Sequence, residues 1–175
     1  MKYNLVGCFD PILKQPVENF DFNNPPIIPI DLACNLAETM LYYNGYGLSA
    51  NQCGLPYRVF VLHGGEEIIT CFNPRIVDVS NEDILLEEGC LSFPELIVKV
   101  KRARRIKVRY ADPNGEIETR TFDGITARCF QHELDHLDGV TFLQRASKIH
   151  KDKAMKVLKR LNRSNKKQGA LPPTN

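Results

Sequence analysis

Apolar residues recur at helical spacing through Leu32, Ala33, Leu36, Ala37, Met40 and Leu41. This predicts a helix capped by Asp31 and stopped at Gly45. The stretch before it, up to Pro29, is rich in Pro and Asn and reads as irregular. Gly45-Tyr46-Gly47 then forces a loop. From Tyr57 the pattern turns to β: segments 57–62 and 67–72 flank Gly64-Gly65, a hairpin signal. Segments 74–79, 96–101 and 105–110 read as further strands, and Asp112-Pro113-Asn114-Gly115 turns the chain into 116–122. Helical spacing returns over 125–137, with Gly139 as terminator. It appears again from near Ser147 to about Arg163, where Ala154, Val157, Leu158 and Leu161 share a face. Strands followed by helices predict an α+β fold of mixed antiparallel sheets around a central helix, with a C-terminal helix, rather than a wound parallel sheet.

Composition narrows this picture. At 175 residues the chain suits one domain whose core needs no disulfide support. Its six cysteines (Cys8, Cys34, Cys53, Cys71, Cys90, Cys129) are irregularly spaced and form no C-x-x-C. Five read as small apolar or incidental residues, and Cys90 is set apart below. No apolar run has membrane-spanning or signal-peptide length, so a cytoplasmic or organelle-interior protein is expected, with no membrane partner. Lys148–Gln168 holds nine Lys/Arg against Asp152 alone, a local +8 on a chain of net +2, so the remainder carries −6. We therefore expect a mildly acidic body over 1–147, and a basic helix with a disordered tail over 148–175.

The chemistry concentrates in Gln131-His132-Glu133-Leu134-Asp135-His136. On a helix, positions i and i+4 share a face, so His132 and His136 can bind one metal with Glu133 beside them as a base. The alternative is a chance H-E-x-x-H on an ordinary amphipathic helix. A catalytic site also needs a third protein ligand and a position open to water. The metzincin pattern would put a histidine three residues after Gly139, where this chain has Phe142. A better candidate is Cys90, in Glu87-Glu88-Gly89-Cys90-Leu91-Ser92, because a thiolate suits zinc or ferrous iron. A lone cysteine is otherwise a buried apolar residue.

Three separated segments resemble the signature motifs of peptide deformylases. They are Gly45-Tyr46-Gly47-Leu48-Ser49-Ala50-Asn51-Gln52 (G-x-G-L-A-A-x-Q), Glu88-Gly89-Cys90-Leu91-Ser92 (E-G-C-L-S) and 131–136 (Q-H-E-x-D-H). With Asp10-Pro11-Ile12-Leu13 and Phe72-Asn73-Pro74 the resemblance covers about residues 5–147. It implies one divalent metal on Cys90, His132 and His136, ferrous iron in the cell, with zinc or nickel in purified samples. The implied reaction removes the N-formyl group from the first methionine of nascent chains, with Glu133 moving the proton. Gln52 and the backbone N–H of Leu91 would stabilise the oxyanion. Gly45, Tyr46, Gly47, Leu86, Gly89 and Arg128 would bind substrate, Tyr46 narrowing the entrance and Arg128 lining the rim with its apolar stem. Ser49 and Asn51 replace commoner residues, and Glu88 with Arg102 is expected as a supporting ion pair.

The basic tail has two readings: a packed helix with solvated lysines outside, or a segment drawn to ribosomal RNA. Two rival functions also follow from the sequence. An internal-bond zinc peptidase would need a ligand downstream, for which only His150 is available. A non-catalytic RNA-binding module would not need Glu133, Gln52 and all three ligands intact.

Overall fold

The computed structural model describes residues 1–168, with side chains described through Arg160. The expected disorder of 169–175 and the place of Leu161 on its helical face lie outside the described residues. Among the described residues the fold is α+β, as the pattern predicts.

Helix α1 (Pro29–Tyr42) begins two residues earlier than Asp31 because Pro29 sits at its first position, where a missing N–H costs nothing. Ile28 holds the cap position and Asp31 lies inside the first turn, where its charge favours the helix N-terminus. The stop comes at Tyr43 and Asn44, with Asn44 taking the left-handed conformation (φ 55°) before Gly45. The buried stripe of Leu32, Ala33, Leu36 and Met40 packs with Leu48, Val59, Val61 and Phe72.

Strands β1 (Gly47–Ser49), β2 (Val59–His63) and β3 (Ile68–Val79) form consecutive antiparallel pairs, with β2 and β3 joined by the expected hairpin. The two segments expected at 67–72 and 74–79 are one strand. Pro74 is absorbed by a register shift between Phe72 and Arg75, where a missing N–H is tolerated. Strands β4 (Asp83–Cys90) and β5 (Phe93–Ala103) make a separate two-stranded sheet. Strands β6 (Arg105–Ala111) and β7 (Ile117–Asp123) complete the first sheet in the order β1-β2-β3-β6-β7. Strand β4 has no counterpart in the pattern reading: most of its residues face solvent, so they do not alternate.

Helix α2 (Gly124–Leu137) lies against the first sheet, its Phe130 edge-on to Phe60 at 4.9 Å. Gly139 ends it at φ 71°, and a Cβ there would fall 2.7 Å from the Gln15 backbone. A single turn, α3 (Phe142–Arg145), leads into α4 (Lys148–Gln168). From α4, Ala154 and Leu158 join Phe93, Leu96, Val98, Val100, Phe142 and Leu143 in a third cluster, whereas Val157 stays partly exposed. Among the described residues no helix is long and apolar enough to cross a membrane.

Candidate active site

Helix α2 turns one face inward, so His132, Glu133 and His136 are all buried under the second motif. Cys90 closes β4 two residues after Glu88, on the same face of the strand, and both side chains reach α2. The ligand atoms of Cys90, His132 and His136 all lie within 4.8 Å of one another, and Cys90 Sγ is 3.2 Å from His136 Nε2. Neither His150 nor Phe142 contributes. His150 lies in the first turn of α4, its backbone N–H donating to Ser147 Oγ, and Phe142 is core, its ring 5.7 Å from that of His132.

The surroundings suit a cation. His132 Nδ1 lies 3.1 Å from Glu88 Oε2, which leaves Nε2 for the Cys90 side of the cluster. Burial pushes the His136 pKa well down, reinforced by the His132 and Arg102 charges, so this imidazole is neutral as ligation requires. Burial alone would lower His132 too, but hydrogen bonds to Cys90 and Glu88 outweigh it and raise its pKa to about 10. A metal arriving at the cluster would displace that proton. The donor set of one thiol and two imidazoles fits a single borderline-soft metal.

Glu88 is the hub of the supporting shell. It receives Arg102 Nε at 2.7 Å and Nη2 at 3.0 Å, and Arg128 Nη1 at 2.5 Å. Burial would raise its pKa, but hydrogen bonds from His132 and Arg102 and their charges hold it at about 2. Arg102 also donates to Asp135 at 2.7 Å, and Asp135 takes two bonds from Arg145. The expected Glu88–Arg102 pair is therefore present, within a network that also includes Asp135, Arg128 and Arg145. Asp135 lies three residues after His132, and helical spacing puts the two on one face of α2.

The motif at 45–52 forms β1 and a short 3-10 turn, Ala50–Cys53. Ser49 donates from its backbone N (3.0 Å) and its Oγ (2.9 Å) to Gln52 Oε1. Gln52 Nε2 thereby faces Ser92 Oγ at 3.1 Å and Cys90 Sγ at 3.5 Å. Asn51 Nδ2 donates to the His136 carbonyl at 2.6 Å and pins this turn to the end of α2. Glu133 sits between these elements. Burial raises its pKa to about 7, against the His132 charge and the Ser49 hydroxyl, which lower it. Gly47 makes its room: a Cβ there would be 2.6 Å from both Glu133 Oε1 and Cys129 Sγ.

A cleft of about 500 Å³ opens over this cluster. Gly45, Tyr46, Gly47, Gln52, Gly89 and Leu91 line it, together with Arg128, Cys129 and Ile125. Gly45 is packed so closely on Leu91 that a Cβ would lie 2.7 Å from Leu91 Cδ1. Tyr46, 70% exposed, stands at the mouth with its ring 6.0 Å from that of His63. Two expectations about the cleft change. Leu86 is not among the lining residues: it faces outward on β4, 40% exposed. Arg128 does line the cleft, but it is buried, its guanidinium bound to Glu88 and to the Ile84 and Val100 carbonyls. Ile125 and Cys129 carried no signal in the sequence beyond helical spacing on α2.

The chain is similar to known proteins in sequence and in fold. The sequence pattern of polypeptide deformylases matches residues 2–152. The chain belongs to the polypeptide deformylase family. The peptide deformylase of Thermotoga petrophila is 41% identical over 148 residues, covering 83% of this chain and 87% of that protein. The crystal structure of the Thermotoga maritima deformylase superposes with a TM-score of 0.75 at 39% identity, covering 84% of this chain and 99% of the other. A Met-Ala-Ser-bound deformylase from Acinetobacter baumannii gives 0.76 at 31% identity, covering 83% and 98%. Family membership makes the chain a metal-dependent hydrolase, and the Cys90, His132 and His136 group fits the family's single metal site.

Proposed function

We propose that this chain hydrolyses the N-formyl group from the N-terminal formyl-methionine of nascent polypeptides, releasing formate. The observation that carries the reading is the buried Glu133 carboxylate beside the Cys90, His132 and His136 cluster, at the base of the cleft. Cys90, His132 and His136 would hold a divalent metal, which would supply Lewis acidity and lower the pKa of water.

The chain's own groups do the rest. Glu133 takes a proton from water as the water attacks the formyl carbon, and delivers it to the departing amine. Its burial, which raises the carboxyl's pKa, favours its taking up the proton. Gln52 Nε2 and the Leu91 backbone N–H donate to the oxygen that gains charge. The peptide lies extended between the Gly45–Gly47 segment and the Gly89–Leu91 segment, both in the cleft wall. The methionine side chain packs among Tyr46, Cys129 and the stem of Arg128. The Met-Ala-Ser bound to the Acinetobacter relative supports a peptide of this kind as ligand.

Ferrous iron is the metal we assign in the cell, with zinc or nickel replacing it after oxidation, since a thiolate and two imidazoles suit all three. The chain works where formyl-methionine starts translation: a bacterial cytoplasm, the host cytoplasm if phage-encoded, or an organelle. Residues 1–147 carry the reaction. The cations of 148–175 draw the enzyme to ribosomal RNA, so its substrate meets it as it emerges.

The test is formate release from formyl-Met-Ala-Ser and acetyl-Met-Ala-Ser by metal-stripped protein, before and after anaerobic loading with Fe2+, Zn2+ or Ni2+. Turnover of the formyl peptide alone, dependent on metal, is expected. Metal-loaded protein that releases no formate contradicts the reading. For the tail, reversing Lys151, Lys156 and Lys159 to glutamate should abolish salt-sensitive ribosome co-sedimentation and leave tripeptide turnover intact. Unchanged co-sedimentation removes the tail from that role.

A further inference from the structure

We propose that Ser49 is a positioning residue for Gln52, fixing which end of its carboxamide faces the reacting centre. This rests on the reading that Gln52 donates to the oxyanion. The two ends of a carboxamide are nearly the same size, so shape alone does not choose between them. Here the choice is made by donors. Ser49 presents its backbone N–H at 3.0 Å and its hydroxyl at 2.9 Å to Gln52 Oε1. A flipped amide would set its NH2 against the backbone donor, which cannot accept. Across the amide, Nε2 donates to Ser92 Oγ at 3.1 Å, and its other proton is left on the Cys90 side, 3.5 Å from Sγ.

All three side chains are buried, so water does not replace a lost partner. An alanine, the residue usual at this place in the motif, keeps the backbone donor alone. The serine therefore adds a second donor to Oε1 and ties the amide to the first turn of its own 3-10 helix. The hydroxyl has one proton, and Glu133 also lies within its reach. Donation to Gln52 and donation to Glu133 are thus competing roles, which the experiment must separate.

That experiment is a double-mutant cycle on metal-loaded enzyme, measuring kcat and KM for formyl-Met-Ala-Ser in the parent, Ser49→Ala, Gln52→Ala and the double variant. Ser49→Ala should lower kcat roughly ten-fold with KM nearly unchanged, the pattern of an interaction made only in the transition state. It should cause no further loss once Gln52 is alanine. An equal loss in both backgrounds assigns Ser49 to Glu133 or to the fold and overturns the proposal, as does no loss at all. A parent that releases no formate fails the functional reading itself, a separate outcome. Should Ser49→Ala not fold, the parent still decides. Its Gln52 side-chain amide protons, followed by 15N NMR, should be well resolved and slow to exchange with solvent. A fast-exchanging, averaged amide overturns the proposal.

Discussion

Glu88 Oε2 lies 3.1 Å from His132 Nδ1, so the carboxylate sets which nitrogen of the imidazole is left for a metal. Glu88→Gln keeps the shape but removes the charge and offers an NH2 where Arg102 and Arg128 donate. We expect metal affinity to fall roughly 10- to 100-fold, read by competition with a chelator. Unchanged affinity would show that His132 is oriented by packing alone.

The same carboxylate makes stability depend on acid. Its folded-state pKa of about 2 lies below its ordinary 4.5, so its contribution is complete above about pH 4.5 and is lost as pH falls toward 2. The difference corresponds to about 3 kcal/mol. Urea unfolding of the metal-free protein across that range should show the decline, and Glu88→Gln should lack this component of it.

Arg102 holds Glu88 and Asp135 together, and all three are buried. Arg102→Met leaves two carboxylates sharing fewer cations in a dry interior. We expect a loss of about 3–5 kcal/mol in urea unfolding, because breaking a buried pair strands its partner. A loss below about 1 kcal/mol would mean that Arg128 and Arg145 suffice.

Gly47→Ala places a Cβ 2.6 Å from Glu133 Oε1 and Cys129 Sγ. The carboxylate must shift, so kcat should collapse while unfolding stability falls by only about 1–3 kcal/mol. Retained kcat would show that Glu133 works from another position.

The α2 helix and its metal-facing pair were legible in the sequence because i, i+4 spacing is a local rule that burial did not override. Cys90 was a candidate by its thiol chemistry and a ligand only through resemblance: His132 and His136 lie more than forty residues away, and a cysteine at a strand end has no periodicity. Strand β4 escaped because its outward face is solvated, leaving Ile84-Leu85-Leu86 without alternation. Arg128 was expected at the rim because arginine usually keeps its head in water. Three acceptors, from Glu88, Ile84 and Val100, draw it inward instead. In the sequence Ser49 stands only as a replacement of a commoner residue, and the fold brings its hydroxyl to 2.9 Å from Gln52 Oε1. Cys90 and Arg128 were thus hidden by long-range pairing, which no local pattern encodes, whereas the Ser49–Gln52 contact spans only three residues.

The most direct test of the account is formate release from formyl-Met-Ala-Ser by anaerobically iron-loaded protein, beside Glu133→Ala loaded in the same way. We predict rapid turnover by the parent, and a fall in the variant of roughly a hundred- to ten-thousand-fold with metal still bound. Equal rates in the two proteins would contradict the assignment of Glu133 as the proton carrier.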